Sequence, residues 1–167
     1  QKIAYTLLVT THAKTVIRTY ACSVALPLAI GLIAMLLTLG GMRAFAASAQ
    51  PALTPPGWVF GVVWTALYIL MGVSSALVYR ASDDNRRDAL HVYALQLFLN
   101  FGWTILFFGF QLAFAAFVWI VLLEAVIVVM IAMFVVVRPV AGYLQIPYFL
   151  WVAFAAYLNF SAFLMNR

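Results

Sequence analysis

The sequence predicts an all-α protein, an integral membrane bundle of five transmembrane helices. Apolar residues make up 68% of the 167 residues and charged residues only 8%, whereas roughly 45 to 50% apolar residues is usual for a soluble domain. Several apolar runs are long enough to cross a hydrocarbon core of about 30 Å. The run 117–137 lacks the alternation of a membrane-spanning strand, which excludes a transmembrane barrel.

The first spanning helix is predicted at 21–39, after a lead-in at 1–20 that we expect to lie at the membrane interface or to be loosely ordered. A cleavable secretory signal is the alternative, because AFAASAQ at 44–50 resembles a cleavage site. The apolar core exceeds the usual length of about 7 to 15 residues, which favours a retained helix. The loop 42–56 is long for a compact bundle, so we expect it to cover a site.

Four more helices complete the single predicted domain. The hydrophilic segment 80–91 separates helices two and three, and a tight turn at 109–112 separates helices three and four. Pro139 and Gly142 break the chain before the last helix. The predicted helices two to five cover about 58–79, 92–108, 113–137 and 144–165, and the five-helix domain as a whole covers 21–167.

The net charge of +5 comes from nine scattered basic residues that form no continuous face. This distribution argues against nucleic-acid binding and instead reports membrane topology. Seven of the nine lie in the N-terminal tail and in the second and fourth loops, and only Arg43 and Arg167 lie on the opposite side. The bias predicts a cytoplasmic N-terminus, with the proline-rich first loop facing outward.

The sequence offers little conventional catalytic or metal chemistry. Cys22 is the single cysteine, and His12 and His91 have no partner at metal-ligand spacing. A nucleophile with its base, a phosphate loop and a carboxylate pair are all missing from the sequence. We therefore expect no metal site, no required cofactor and no ordinary hydrolase or transferase activity.

Polar and aromatic residues recur at helical spacing on three of the predicted helices. An amide that faced lipid would lack a hydrogen-bond partner, so these faces should point into the bundle. The amides either join helices or supply the polar groups of an apolar ligand pocket. The aromatic residues either wall that pocket or belong to an interfacial belt, the role we assign to Trp58, Tyr79, Tyr93 and Tyr143. The residues on these faces are Trp64 and Tyr68 on helix two, Gln96, Asn100, Trp103 and Phe107 on helix three, and Tyr148, Trp151, Ala155 and Asn159 on helix five.

Three segments carry a resemblance to a known family. TPPGWVFGVVWTALYILMG at 54–72, QLFLNFGWTILFFG at 96–109 and IPYFLWVAFAAYLNF at 146–160 resemble the TspO/translocator-protein family, also called tryptophan-rich sensory proteins or peripheral benzodiazepine receptors. The resemblance implies a five-helix bundle, often dimeric. It also implies that porphyrins, haem, sterols and synthetic aromatic ligands bind under the first loop. The pocket positions carried over from the family are Trp64, Tyr68, Asn100, Trp103, Trp151, Ala155 and Leu158.

The combined prediction is a receptor or sensor that binds porphyrins, haem and related hydrophobic ligands and assists their transport. The alternatives are a light-dependent porphyrin-degrading enzyme and a small tetrapyrrole or sterol transporter. Degradation is less expected because Leu53 replaces the family's loop tryptophan, and the family's proposed sterol motif is absent after Leu158. The predicted ligand-binding residues are Trp64, Tyr68, Gln96, Asn100, Trp103, Phe107, Tyr148, Trp151, Ala155 and Leu158, and the predicted loop lid comprises Pro51, Leu53, Pro55, Pro56 and Trp58.

Two further features leave alternatives open. The stripes Ala21, Ala25, Ala29 and Gly57, Gly61 predict either a homodimer contact or close packing inside one bundle, the latter being favoured for the glycine pair. Glu124, in the middle of helix four, is either functional or a protonated carboxyl that bonds across helices or lies at a subunit contact. For Glu124 we favour the structural role.

Overall fold

The computed structural model describes residues 2–48, 50–51 and 53–165, and the side chains from residue 13 onward. Within this part of the chain, five helical segments are long and apolar enough to cross a membrane, which confirms the predicted bundle of five spans. The elements are α1 (Lys2–Ala47), α2 (Gly57–Tyr79), α3 (Arg86–Thr104), a π-helix (Ile105–Gly109), α4 (Ala113–Val137), α5 (Pro139–Tyr143) and α6 (Ile146–Met165).

Helix α1 is far longer than the predicted 21–39. Its backbone runs without a break from Lys2 to Ala47 and so includes the described part of the segment 1–20 that was expected to be a lead-in; Gln1 lies outside the described residues. Hydropathy marks where a helix crosses the bilayer, and alanine and methionine, both good helix formers, extend the helix beyond that point. The first loop is therefore 48–56, shorter than predicted, and the Phe45 carbonyl at the helix end accepts hydrogen bonds from the Ser48 and Gln50 side chains.

Helices α1 and α2 pack closely where Pro27 lies inside α1. Proline has no N–H, so Pro27 leaves the carbonyl of Ser23, four residues earlier, without its helical partner. A Cβ atom added to Gly72 of α2 would collide with this carbonyl and with the backbone of Val24. Glycine at position 72 therefore lets the two backbones approach, and the contact fixes the antiparallel register of α1 against α2.

Side-chain hydrogen bonds to backbone carbonyls join the other helices. The Ser74 hydroxyl of α2 donates to the Ala141 carbonyl of α5 at 2.6 Å. The Trp119 indole of α4 donates to the Leu99 carbonyl of α3 at 2.7 Å, with its ring lying against Gly102. Such bonds satisfy polar groups that the bilayer cannot hydrate.

Two segments predicted as connections contain helix. Helix α3 begins at Arg86, inside the segment 80–91 that was predicted to be a solvated loop. Pro139–Tyr143, predicted as a break, forms the short helix α5 with the proline at its start, where the missing N–H costs little. Gly142 of α5 lies against the backbone of α4 at Ile131 and Val135, which explains a glycine at this position.

A π-helix continues α3 where the sequence predicted an α-helix to 108 and then a turn. The amide N–H of Phe110 donates to the Ile105 carbonyl, one residue further back than in an α-helix. π-Helices are rare and are found frequently at functional sites. The wide turn packs against α1, where the Phe108 carbonyl meets Gly41.

The small-residue stripes lie on the outside of the bundle. Gly57 and Gly61 are exposed, and a Cβ added to either would meet nothing within 4 Å. The favoured interpretation of this pair, packing inside the bundle, is therefore wrong. Ala21, Ala25 and Ala29 are exposed as well. A homodimer through either stripe stays a prediction.

The two kinds of glycine in α2 give a matched test of the packing. Gly72→Ala should lower the free energy of unfolding by about 1 to 3 kcal/mol, because the added methyl group meets backbone atoms that cannot move aside. Gly61→Ala should leave stability unchanged or raise it by up to about 1 kcal/mol, through the better helix propensity of alanine. Unfolding in mixed micelles, followed by circular dichroism, measures both variants. Equal stability of the two would contradict the close α1–α2 contact.

Candidate functional site

Helices α2, α3 and α6 carry the predicted ligand-binding residues, and hydrogen bonds and ring contacts join seven of the ten: Trp64, Tyr68, Gln96, Asn100, Trp103, Phe107 and Tyr148. All ten occur on these helices or on the π-helix that continues α3. Trp64 and Trp151 are half-buried, and the other eight are buried. The helical spacing that placed these residues on inward faces therefore agrees with their positions in the folded chain.

A chain of hydrogen bonds crosses the bundle at the centre of this cluster. The Tyr68 hydroxyl donates to Asn100 Oδ1 at 3.1 Å, and Asn100 Nδ2 donates to the Tyr148 hydroxyl at 3.2 Å. The Tyr148 hydroxyl in turn donates to Gln96 Oε1 at 2.9 Å. One amide on α3 thus holds a tyrosine from α2 and a tyrosine from α6, which fixes the orientation of both rings.

Asn159 is a site residue that the predicted ligand set left out. Its Oδ1 atom accepts a hydrogen bond from the Trp103 indole at 3.0 Å, and its Nδ2 atom donates to the Ala113 carbonyl at 2.7 Å. The signal was present in the sequence, since Asn159 continues the face of Tyr148, Trp151 and Ala155 by one further step of four. Asn159 positions Trp103 and joins α6 to the start of α4.

Two phenylalanines were also missed. Phe60 of α2 contacts Trp151 of α6 edge to face, with ring centroids 5.7 Å apart. Phe45 of α1 contacts Phe107 in the same way at 5.3 Å. No polar pattern marks either residue, and Phe45 lies beyond the predicted end of the first helix, so sequence reasoning had no signal for them.

The aromatic rings of the site contact one another. The ring of Trp64 lies 5.4 Å from Tyr68, 6.4 Å from Trp103 and 6.3 Å from Tyr148, measured between centroids. Trp103 also stacks on Phe107 at 5.7 Å, with the planes 12° apart. The space where a pocket was predicted is therefore filled by side chains. Trp64 is the half-buried ring at the edge of this cluster.

Two buried N–H groups of the site have no hydrogen-bond partner among the described residues: Gln96 Nε2 and Trp151 Nε1. A buried donor left unpaired costs about 1 to 3 kcal/mol. Both groups lie on the aromatic-lined faces of α3 and α6, where the acceptor oxygen of a bound molecule could satisfy them.

A cavity of about 390 Å³ lies next to the aromatic cluster, at the end of the bundle where the first loop begins. This volume is within the range of about 300 to 1,000 Å³ found for ligand pockets. Phe107 belongs both to this cavity and to the aromatic cluster. The lining residues are Gly41, Ala44, Phe45, Ser48, Phe107, Gln111, Ala113 and Ala162.

The predicted lid residues differ in exposure. Pro51 is buried, Pro55 is half-buried and Pro56 is exposed. Leu53 and Trp58 are 75% and 71% exposed, so they lie on the outer surface. Leu53 also has a φ of 71°, in the left-handed region that is uncommon for such a residue. A covering role for the loop stays a prediction.

Glu124 has both carboxyl oxygens buried without a hydrogen-bond partner among the described residues. The cross-helix hydrogen bond that was favoured for it is therefore not formed in this structure. The other candidate residues lie away from the site. Cys22 is exposed, and His91 is an exposed surface residue 3.9 Å from Asp88. The side chain of His12 lies outside the described residues.

The residues assigned to an interfacial belt divide into two groups. Trp58, Tyr79 and Tyr143 are exposed on the outside of the bundle, as a belt requires. Tyr93 is only 5% exposed and packs against Phe134 with centroids 6.1 Å apart, so its assignment to the belt is wrong. Because α3 begins at Arg86, Tyr93 lies about two turns inside the helix.

Five spans around a cluster of aromatic and amide side chains define a multi-pass membrane protein with a candidate site between its helices. The model of the TspO/MBR family matches residues 23–165, and the chain belongs to this family. It is 41% identical over 121 residues to the tryptophan-rich protein TspO of Chlorobaculum tepidum, covering 70% of this chain and 75% of the relative. It is 34% identical to the tryptophan-rich sensory protein of Cereibacter sphaeroides over 117 residues, 70% and 73% of the two chains. It is also 34% identical to the human translocator protein over 130 residues, 76% and 77% of the two chains.

The hydrogen-bond chain can be tested with a double-mutant cycle. Asn100→Ala should lower the free energy of unfolding by about 1 to 2 kcal/mol, because the Tyr68 and Tyr148 hydroxyls lose a buried partner. In a Tyr68→Phe background the same change should cost less, since one of those hydroxyls is already absent. Unfolding in mixed micelles measures each variant, with the exposed Ser82→Ala as control. Strict additivity of the two changes would contradict the Tyr68–Asn100 bond.

Proposed function

We propose that this chain is a membrane receptor or sensor that binds porphyrins, haem and related planar hydrophobic molecules between α2, α3 and α6. The observation that supports the proposal most is the combination of contacting aromatic rings with two buried, unpaired N–H donors on the same faces. Rings bind a flat apolar molecule by stacking, and a few placed donors fix its orientation.

The chemistry of a tetrapyrrole matches this arrangement. Its macrocycle offers a large flat surface to indole and phenol rings, and its carboxylate side chains offer acceptors to donors such as Trp151 Nε1. The Tyr68 and Tyr148 rings are held by Asn100, so part of the binding surface is organised before a ligand arrives.

Binding requires the closed cluster to open. Trp64 is the half-buried member and contacts three other rings of the site, so a ligand that stacks on those rings takes its place. The apparent affinity is then reduced by the fraction of molecules in the open state. The cavity beside Phe107 extends the space that a displaced side chain or a large ligand can use.

The same site supports a part in ligand transfer across or along the membrane. Several relatives carry the name translocator protein, and hydrophobic ligands reach an interhelical site most directly from the bilayer. Phe60 and Trp151 meet between α2 and α6, and both are only partly buried. Separation of these two rings would open a lateral route for a ligand dissolved in lipid.

Trp151→Phe tests the binding site with the smallest change. The variant keeps an aromatic ring but loses the N–H donor, so the dissociation constant for protoporphyrin should rise about three- to tenfold. Trp58→Phe, which changes an exposed ring, should leave affinity within about twofold of the parent. Titration of purified protein in micelles, followed by quenching of tryptophan fluorescence, gives both constants. Equal constants for the parent and Trp151→Phe would overturn the assignment of Trp151 to the site.

Illumination of the same complexes separates binding from degradation. Stoichiometric quenching without loss of pigment supports the receptor. Light-dependent bleaching that is abolished by substitution of Trp64 or Trp151 would instead identify a porphyrin-degrading enzyme. Parallel titrations with haem and a sterol define the ligand class, and uptake into proteoliposomes would identify a transporter.

A further inference from the structure

A second large cavity lies at the opposite end of the bundle from the first loop. It has a volume of about 650 Å³ and opens between the N-terminal half of α1 and the end of α2. We call it the basic groove. The lining residues that bear on its chemistry are Lys14, Arg18, Thr19, Cys22, Leu26 and Tyr79.

The register of α1 against α2 places the basic groove at the membrane surface. Gly72 packs against Ser23 and Val24, and the two helices run in opposite directions with the same rise per residue. Tyr79, seven residues beyond Gly72, therefore lies level with about residue 17 of α1. Helix α2 ends at Tyr79, and the hydrophilic segment 80–91 follows, so we expect the boundary between lipid and water at this level.

The basic groove changes character along one face of α1. Lys14, Arg18, Cys22 and Leu26 follow one another at steps of four residues, so their side chains lie in a row. The row begins with Lys14 on the water side of the boundary and Arg18 at its level, and it ends with apolar groups on the lipid side. Tyr79, an amphipathic residue typical of headgroup depth, borders the row from α2.

The two cations are not neutralised by the protein. Among the described residues, His91 is the basic side chain that lies within 4 Å of a carboxylate, that of Asp88, and neither Lys14 nor Arg18 has an acidic partner. Asp83, the acidic residue nearest the end of α2 in sequence, bonds to Asn85 in its own loop. A groove with two unpaired cations at one end and apolar walls at the other is complementary to an anionic amphiphile.

We propose that the basic groove binds one anionic phospholipid of the adjacent leaflet. Its phosphate would lie between Lys14 and Arg18, and an acyl chain would follow the row past Cys22 and Leu26. Polybasic clusters next to a membrane span attract anionic lipid in this way, but here the lipid also has a shaped surface to occupy. The proposal does not depend on ligand binding at the aromatic cluster.

Lipid retention tests the site directly. The full chain is reconstituted in phosphatidylcholine nanodiscs containing a minor fraction of phosphatidylglycerol, released into mild detergent and weighed by native mass spectrometry. The parent should retain one phosphatidylglycerol in preference to phosphatidylcholine. Lys14→Gln with Arg18→Gln should lower that preference about tenfold or more, because each cation at a membrane surface contributes appreciably to anion binding.

A matched control removes the same amount of charge elsewhere. Arg87→Gln with Arg138→Gln eliminates two exposed cations that do not line the groove, and this variant should keep the preference within about twofold. Equal losses in both double variants would show a general charge effect and would overturn the site. Unchanged retention in the groove variant would overturn it as well.

Two further measurements and a folding control complete the test. Leu26→Trp fills the apolar end without changing charge and should also reduce retention, whereas an unaffected preference would exclude an acyl chain from the groove. Soluble glycerol phosphate should not displace the lipid at millimolar concentration, and displacement would identify a free-anion site instead. Circular dichroism of the groove variants, expected to match the parent, reports that the bundle remains folded.

Discussion

The bilayer core offers no water to polar groups, and this constraint organises the bundle. Amides inside a membrane span need partners within the protein, and Asn100 and Asn159 find theirs across helices. Asn100 joins tyrosines from α2 and α6, and Asn159 joins the Trp103 indole to the start of α4. The same bonds that satisfy these groups orient the aromatic rings around them, so one set of residues serves both stability and the proposed binding surface.

The number of spans and the inward faces could be predicted from sequence, because both follow from quantities that sequence contains. The length and hydropathy of the apolar runs give the number of spans, and polar residues at steps of three and four show which face of each helix points inward. The amides Gln96 and Asn100 were the strongest guide, since an amide within a span finds hydrogen-bond partners only inside the bundle. The same rule placed Asn159 on the face of Tyr148, although the predicted ligand set left it out, and its bond is equally buried.

Other features depend on tertiary contacts that no local pattern records. Hydropathy could not reveal that α1 continues through Met42–Ala47, nor that Phe45 reaches Phe107 from there. Periodicity placed Trp64 on an inward face but could not predict that its ring contacts Tyr68, Trp103 and Tyr148 where a pocket was expected. The exposure of Gly57 and Gly61 could not be predicted either, because the same glycine spacing occurs where a helix faces a neighbouring helix and where it faces lipid.

The π-helical turn at Ile105–Gly109 gives the third span one residue more than an α-helix of the same length would contain. A π-turn accommodates one residue more than an α-turn, and one residue of an α-helix corresponds to a rotation of about 100°. Deleting a residue here would let an ordinary turn form, but it would swing Phe107 away from the Trp103 ring and shift the Phe108 carbonyl from Gly41. The number of residues in this turn therefore sets the rotation of the end of the span, which meets α1, relative to the face that carries Gln96 and Asn100.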